Sequence, residues 1–181
     1  HGFETQGMFL EGTGSLVIHP ELKLAFAAMS ERTHPEVIRA WRNATGYDVL
    51  TFHAADRSGR AVYHTNVVMH FGNGFTVIAA EAIPNAEEQE KICGTISGTG
   101  NELIRLSIDQ MNSFVGNGLQ LTDKNGAPVY VLSLAGWNSL LPEQRKKILS
   151  HTAVITPDLS TIERIGGGSA RCMLSELFGQ K

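Results

Sequence analysis

The sequence repeats one order of strands and a helix at a nearly constant interval, and this repeat constrains the fold more than any other feature. A strand–strand–helix–strand pattern is predicted over about residues 15–54, 66–107 and 118–157. One such unit cannot bury its apolar face alone, so units of this kind stack or arrange radially around an axis. The alternative is an ordinary α+β domain whose regularity is incidental.

Local signals support the boundaries of these units. Pro35 stands where a helix would begin, because the first helical turn needs no N–H from that residue, and Gly46 would end the helix. Gly72-Asn73-Gly74 is a hairpin turn whose residues tolerate positive φ. The predicted strands are residues 15–18, 22–29, 48–53, 66–71, 75–80, 102–106, 118–122, 129–134 and 153–156, and the predicted helices are residues 34–44, 85–97 and around 140–150.

The composition is that of an ordinary globular chain. Its net charge is −3 and no run of Lys and Arg gathers on one segment, which argues against nucleic-acid binding. The longest apolar stretches, such as residues 22–29, are too short to span a bilayer, and no basic-then-apolar leader opens the chain. We therefore expect a cytoplasmic protein with two free thiols, Cys93 and Cys172, and a small-molecule partner rather than a nucleic acid or a membrane.

Polar, glycine-rich segments precede the first strand of each unit. They carry Glu11, then His64, then Asn112 and Asn117, and the start of a fourth copy carries Cys172. Because equivalent positions of a radial array converge near its axis, we expect these side chains to line one cavity. Thiol, imidazole and carboxylate in one pocket are typical of nucleophilic catalysis.

Cys172 is the candidate nucleophile. It belongs to a closing segment, residues 166–181, in which three successive glycines shortly before it let the backbone approach closely. A short helix predicted over residues 173–178 would favour a thiolate through its dipole. The alternative is a buried structural cysteine, and this is the interpretation we prefer for Cys93, which shares an apolar helix face with Ile96.

His64 is the candidate general acid–base. It lies two residues from Asn66 on a predicted strand, so both side chains would face the same side. His64 would protonate a leaving amine and then activate water; a purely structural histidine is the alternative. Glu31 precedes a helix and either caps it or orients His64 as an imidazolium. No Cys or carboxylate stands at metal-ligand spacing from His70, so no metal site is predicted.

Taken in order, these motifs resemble those of the guanidine-modifying, or pentein, superfamily. That superfamily includes arginine and agmatine deiminases, dimethylarginine hydrolases and amidinotransferases. The pattern is most similar to the bacterial citrulline-utilisation hydrolases, which are amidinotransferase-like, and the resemblance covers essentially the whole chain. The motifs are Phe9-Leu10-Glu11-Gly12-Thr13-Gly14-Ser15, Ser30-x-Arg32-Thr33, Tyr63-His64-Thr65-Asn66-Val67, Gln110-Met111-Asn112-x-Phe114-x-Gly116-Asn117 and Gly166-Gly167-Gly168-Ser169-Ala170-Arg171-Cys172-Met173-Leu174.

The resemblance implies an α+β fold, the five-bladed pentein α/β-propeller built of ββαβ units. Residues 1–181 would then be a single domain that holds about three C-terminal blades. By position, Cys172 would be the nucleophile, His64 the general acid–base and Glu31 the carboxylate partner of His64. No cofactor is implied. The expected substrate-binding residues are Glu11, which falls in a loop lining the site, Asn66, Asn112 and Asn117.

Two departures from the family pattern bear on activity. Five blades need roughly 250 residues, so about two N-terminal blades would be absent, together with the family's N-terminal Asp that holds the guanidino nitrogens. A homo-oligomer, another partner chain or a missing N-terminal segment would then complete the ring. Arginine deiminases carry His-x-Asp where this chain has His64-Thr65-Asn66. A neutral Asn suits an uncharged ureido group, whereas an Asp pairs with a guanidinium.

The sequence therefore predicts a cysteine-dependent hydrolase that attacks the ureido or guanidino carbon of an arginine-related amino acid. Our preferred reaction converts citrulline to ornithine, ammonia and carbon dioxide. The alternatives on the same site are an arginine deiminase, a dimethylarginine hydrolase and an amidinotransferase. A ribosome-binding anti-association factor of the same fold is the alternative without enzyme activity, and the glycine triplet before Cys172 argues against it.

Overall fold

The computed structural model describes residues 2–175, and over them it has a mixed α+β fold with three small sheets. In the first unit, β1 (Val17–His19) runs antiparallel to β2 (Leu24–Ala28), and β3 (Asp48–Phe52) returns parallel to β2. A parallel return needs a crossover connection, which the helix Pro35–Thr45 provides. This ββαβ order is the one that the sequence predicts.

The second and third units repeat this topology. In each, an antiparallel strand pair is followed by a helical crossover and a parallel third strand. The predicted repeat is therefore confirmed. The second unit contains β4 (Met69–Phe71), β5 (Phe75–Ile78), the helix Ala86–Gly98 and β6 (Glu102–Arg105), and the third contains β7 (Leu119–Thr122), β8 (Pro128–Val131), the helices Leu134–Ser139 and Pro142–Leu149, and β9 (Ala153–Ile155). Further helices are Ile108–Asn112 and Ser160–Gly166, with 3-10 turns at Glu4–Gln6 and Ala80–Ala82.

Local chemistry explains where the crossover helices begin and end. His34 Nδ1 accepts a backbone N–H at 3.2 Å ahead of Pro35, whose missing N–H leaves nothing unsatisfied in the first turn. Gly46 ends this helix with φ of 73°, a left-handed conformation that suits glycine. Asn85 caps the second crossover helix through its side-chain oxygen, 2.9 Å from a backbone nitrogen. No helix within residues 2–175 is both long and apolar enough to cross a membrane.

The middle strands β2, β5 and β8 carry the core. Phe26, Phe75 and Tyr130 lie on these strands, are completely buried and belong to one apolar cluster that spans the three units. Cys93 joins this cluster from the second crossover helix and is 2% exposed. Burial raises the pKa of its thiol, against the opposing charge of Arg105. The prediction that Cys93 is a core thiol is confirmed.

The segments just before β1 and β4 differ from the prediction. The sequence predicts strands from residue 15 and from residue 66, but Gly12–Ser15 and Thr65–Val68 each form one helical turn. The prediction that His64 and Asn66 lie together on a strand is therefore wrong, since Asn66 lies inside the second of these turns.

The physical reason is a buried hydroxyl that ties these two segments together. Thr65 Oγ1 donates to the Ser15 carbonyl at 2.6 Å and accepts the Ala28 N–H at 2.7 Å. A side chain that hydrogen-bonds the backbone in this way offers it an alternative to the strand ladder. The partners are 50 and 37 residues apart in sequence, so no local pattern reveals them.

Candidate functional site

Short helical turns bring most of the predicted site residues together. Three of these turns lead into the first strand of a unit and the fourth lies in the closing segment; we call them the leading turns. Each contacts the next one along the chain. Glu11, His64 and Ser169 immediately precede three of them. The leading turns are Gly12–Ser15, Thr65–Val68, Val115–Asn117 and Ala170–Met173.

His64 and Glu11 form a short hydrogen-bonded pair. His64 Nε2 lies 2.6 Å from Glu11 Oε2, and the side chains are 15% and 41% exposed, respectively. The ring lies directly against Gly14, because a Cβ built there would be 2.7 Å from His64 Cε1. Arg32 Nη1 is 3.5 Å from the same carboxylate oxygen. The carboxylate fixes the orientation of the ring, and Nδ1 has no hydrogen-bond partner within residues 2–175.

Tyr63 connects His64 to the segment that carries Cys172. Its ring centroid lies 4.9 Å from that of His64, and its hydroxyl donates to the Gly167 carbonyl at 2.5 Å. Arg32 covers the ring at 5.4 Å from its centroid. Burial raises the pKa of the Tyr63 phenol, the charge of Cys172 adds to that rise, and Arg32 opposes it. Tyr63 therefore contacts both the candidate acid–base, through its ring, and the segment that carries Cys172, through its hydroxyl.

Asn117 holds the candidate nucleophile. Its side chain is completely buried, and its Oδ1 accepts the Ser169 N–H at 3.1 Å and the Cys172 S–H at 3.4 Å. Its Nδ2 donates to the Asn66 carbonyl at 3.1 Å. Gly168 lies against the thiol, since a Cβ there would be 3.1 Å from Cys172 Sγ. Asn117 thus orients the thiol by a hydrogen bond. Cys172 itself is exposed to solvent.

The helix around Cys172 lies earlier than the prediction of residues 173–178. Ala170–Met173 is helical, Cys172 is its third residue, and Leu174 is already extended. The predicted helix is thus correct at Met173 and wrong at residues 174 and 175, and its remaining residues lie outside the described part of the chain. Because Cys172 is inside this single turn rather than before a helix, the expected dipole effect does not apply to it.

Asn66 and Asn112, both predicted to bind substrate, occupy different environments. Asn66 is 3% exposed, and its Oδ1 has no hydrogen-bond donor among the described residues. A buried acceptor without a donor is costly, so this oxygen suits a ligand that brings an N–H group. Asn112 is exposed at the end of the helix Ile108–Asn112, where it lines a cavity of about 340 Å³ with Tyr63 and Val67.

Glu31, which the family resemblance assigns as the partner of His64, is exposed and makes no hydrogen bond or ion pair with His64 in the described residues. Glu11 takes that place instead. The sequence predicts Glu11 as a substrate-binding residue in the same cavity as His64, but it does not predict their direct pairing across 53 residues. A catalytic role for Glu31 stays a prediction. Sequence reasoning also missed Tyr63, whose only signal is an aromatic residue next to His64.

His70 contrasts with His64, although only six residues separate them. It is buried on β4, donates from Nδ1 to the Gly116 carbonyl at 3.0 Å and stacks on Tyr130 with ring centroids 5.1 Å apart. Burial lowers its pKa to about 3, and the nearby charge of Arg171 adds to that shift. Within residues 2–175, no three His, Cys, Asp or Glu side chains group together as metal ligands.

The sequence matches one family over almost its whole length. A family model described as N,N dimethylarginine dimethylhydrolase, eukaryotic, matches residues 1–179. No curated protein matches the sequence.

Several solved structures share the fold. ArgZ, an arginine dihydrolase from the ornithine–ammonia cycle in cyanobacteria, aligns with a TM-score of 0.73 and 16% identity over 92% of this chain and 24% of that one. The substrate-bound N-terminal domain of ArgZ gives a TM-score of 0.70 and 15% identity over 92% of this chain and 56% of that domain. Agmatine deiminase from C. jejuni gives 0.53 and 14% identity, over 91% and 55%. The chain thus spans little more than half of these proteins at most.

Proposed function

Since the chain belongs to the N,N-dimethylarginine dimethylhydrolase family, within the guanidine-modifying superfamily, we propose that it is a cysteine hydrolase that cleaves a carbon–nitrogen bond at the ureido or guanidino carbon of an arginine-related amino acid. The observation that carries this proposal is the arrangement around Tyr63. Tyr63 contacts the imidazole that Glu11 holds, and its hydroxyl binds the segment that carries the exposed thiol held by Asn117.

The reaction runs through a covalent intermediate. The thiol proton of Cys172 first passes to His64. The resulting thiolate bonds to the substrate carbon, and a carbon–nitrogen bond breaks as His64 gives that proton to the departing nitrogen. His64 then takes a proton from water, which attacks the carbon and breaks the carbon–sulfur bond. Glu11 holds the ring in place during both transfers, since it hydrogen-bonds Nε2 at 2.6 Å. A direct role for Glu31 requires its side chain to turn towards the site when substrate binds.

The preferred substrate in this proposal is citrulline. One citrulline and one water would yield ornithine, ammonia and carbon dioxide. The support comes from Asn66, whose buried Oδ1 lacks a donor and whose neutral amide matches an uncharged ureido group better than a guanidinium. Dimethylarginine, hydrolysed to citrulline and dimethylamine, is the second candidate, and the matched family favours it.

A mass measurement tests the nucleophile. The protein is mixed with chloroacetamidine, a small amidine electrophile, and its intact mass is followed beside Cys172→Ala and Cys93→Ala. We expect a single adduct in the wild type and in Cys93→Ala and none in Cys172→Ala. Equal labelling at Cys93 would contradict the assignment.

A substrate panel then tests the reaction. Citrulline, dimethylarginine and arginine are each supplied, and ornithine, citrulline, dimethylamine and ammonia are quantified. We expect Asn66→Asp to lower citrulline turnover by about tenfold, whereas Asn43→Asp, on an exposed helix face, leaves it unchanged. Unchanged citrulline turnover in Asn66→Asp would remove the argument for citrulline.

We further propose that the chain is one domain that supplies about three of five propeller blades in a cytoplasmic enzyme. Support comes from the three ββαβ units and from the 56% coverage of a related domain. The remaining blades would come from an upstream segment or from another copy of the chain. Light scattering tests whether another copy of the chain supplies these blades. A dimer whose dissociation also abolishes labelling by chloroacetamidine would support that source.

A further inference from the structure

Among the hydrogen bonds that the structure describes at the site, the one donated by Tyr63 joins the residues that lie farthest apart in sequence. Its hydroxyl donates to the Gly167 carbonyl at 2.5 Å, and the two residues are 104 positions apart. Gly167 follows the helix Ser160–Gly166 in a left-handed conformation with φ of 69°. The hydroxyl therefore holds the point where the chain leaves that helix and turns towards Cys172.

Tyr63 is itself held firmly. Its carbonyl accepts the Ser30 hydroxyl at 2.7 Å. Its ring centroid lies 4.9 Å from that of His64 and 5.4 Å from Cζ of Arg32. The chain continues directly into His64 and the anchored Thr65. Any movement of Tyr63 would thus also move the candidate acid–base.

A second contact fixes the other end of the nucleophile segment. Asn117 binds the Ser169 N–H and the Cys172 S–H, and Glu163 Oε1 accepts the Ser169 hydroxyl at 2.6 Å. Between these two fixed points only Gly168 intervenes, and it has no side chain to hold it. The contact at Gly167 therefore holds this segment at a second point, on the other side of Gly168 from Asn117.

We propose that Tyr63 is a positioning residue: by holding the Gly167 carbonyl, it fixes the position of the Cys172 thiol relative to His64. This inference rests on the proposed function for its catalytic meaning. Its structural content, a tie between the acid–base and the nucleophile segment, stands independently of that function. Because a displacement of about 1 Å can cost roughly 100-fold in rate, one hydrogen bond at this point has a large effect.

The test compares Tyr63→Phe with Tyr47→Phe, which removes a hydroxyl from the tyrosine beside Trp41, outside the site. Deuterium uptake over residues 164–173 is measured by mass spectrometry, together with the rates of Cys172 modification by chloroacetamidine and by iodoacetamide. We expect faster uptake in Tyr63→Phe and about tenfold slower reaction with chloroacetamidine, whose amidine needs the aligned site. The iodoacetamide rate should fall less than twofold, because that reagent needs only an accessible thiol.

Ser30→Ala serves as a second variant, because it removes the hydroxyl that holds the Tyr63 carbonyl and the Arg32 N–H but keeps the Tyr63 hydroxyl. It should shift deuterium uptake in the same direction by a smaller amount. Unchanged uptake and unchanged chloroacetamidine rates in Tyr63→Phe would overturn the proposal, and so would an equal fall for both reagents. If the wild type fails to react with chloroacetamidine at Cys172, the proposed function fails, while deuterium uptake still decides whether Tyr63 holds the segment.

Discussion

Two cysteines and two histidines divide between opposite environments in this molecule. Cys93 and His70 lie in the core and are each 2% exposed, and burial keeps both neutral by raising the thiol pKa and lowering the imidazole pKa. Cys172 is exposed on a leading turn, and His64 precedes another, paired with Glu11. The same residue types thus serve packing in one region and, in the proposed mechanism, chemistry in the other. Position on the repeat, rather than residue type, separates the two.

The largest expected effect comes from exchanging each cysteine. Cys172→Ala should lower turnover by at least roughly 10⁴-fold, because no other group in the proposed mechanism forms the covalent bond. Cys93→Ala should keep turnover and lower the free energy of unfolding by about 1 kcal/mol, since it removes a small buried side chain. Steady-state kinetics and urea unfolding of both variants give the two quantities. If Cys172→Ala still converted substrate, Cys172 would not be the nucleophile and the two thiols would not differ in function.

The histidines should separate in the same way, by a smaller factor. His64→Gln should lower turnover about 10²- to 10⁴-fold, the usual contribution of a general acid–base, with little change in stability. His70→Gln should instead lower the free energy of unfolding by about 1–3 kcal/mol, because it disturbs a buried hydrogen bond to Gly116 and a stacked ring. Turnover per folded molecule measures the first and urea unfolding the second. If His70→Gln lost turnover while still folded, the assignment of His70 to packing and of His64 to catalysis would be contradicted.

Two glycines extend the comparison to the backbone. Gly14→Ala would place a Cβ 2.7 Å from His64 Cε1, so the ring must move, and turnover should fall about 10- to 100-fold. Gly94→Ala is the matched control, because it lies inside a helix with no atom within 4 Å of the added Cβ. That change should stabilise the protein by about 0.5–1 kcal/mol and leave turnover alone. If Gly14→Ala turned over normally, the close packing behind His64 would have no bearing on catalysis.

The repeat and the crossover helices were predictable because their signals are local. Proline, glycine and alternating apolar residues mark the ends of the helix Pro35–Thr45 and of the strands, within a few positions. Cys172 and His64 were identified as candidates because a local motif surrounds each one. Their standing as catalytic residues is a proposal that the experiments above test.

The leading turns and the contacts within the site were not predictable in this way. The helical form of Gly12–Ser15 and Thr65–Val68 depends on Thr65 reaching Ser15, 50 residues away. The choice of Glu11 rather than Glu31 beside His64 depends on a contact between different units. Sequence periodicity describes how each unit folds. It does not predict which side chains contact each other between units, and the candidate site consists of such contacts.

A further small effect is predicted for the way stability depends on pH through the buried His70. In the folded protein the pKa of His70 is lowered to about 3, whereas in the unfolded chain it returns to about 6.5, so the unfolded state binds more protons between these values. Stability is therefore fully present above pH 6.5 and is lost as the pH falls through that window. Between pH 7 and pH 5.5, where few carboxylates titrate, this loss should be about 1 kcal/mol. Urea unfolding of the wild type and of His70→Gln across this range measures it: the variant should show a shallower dependence on pH, and parallel curves would mean that the core does not exclude the proton from His70.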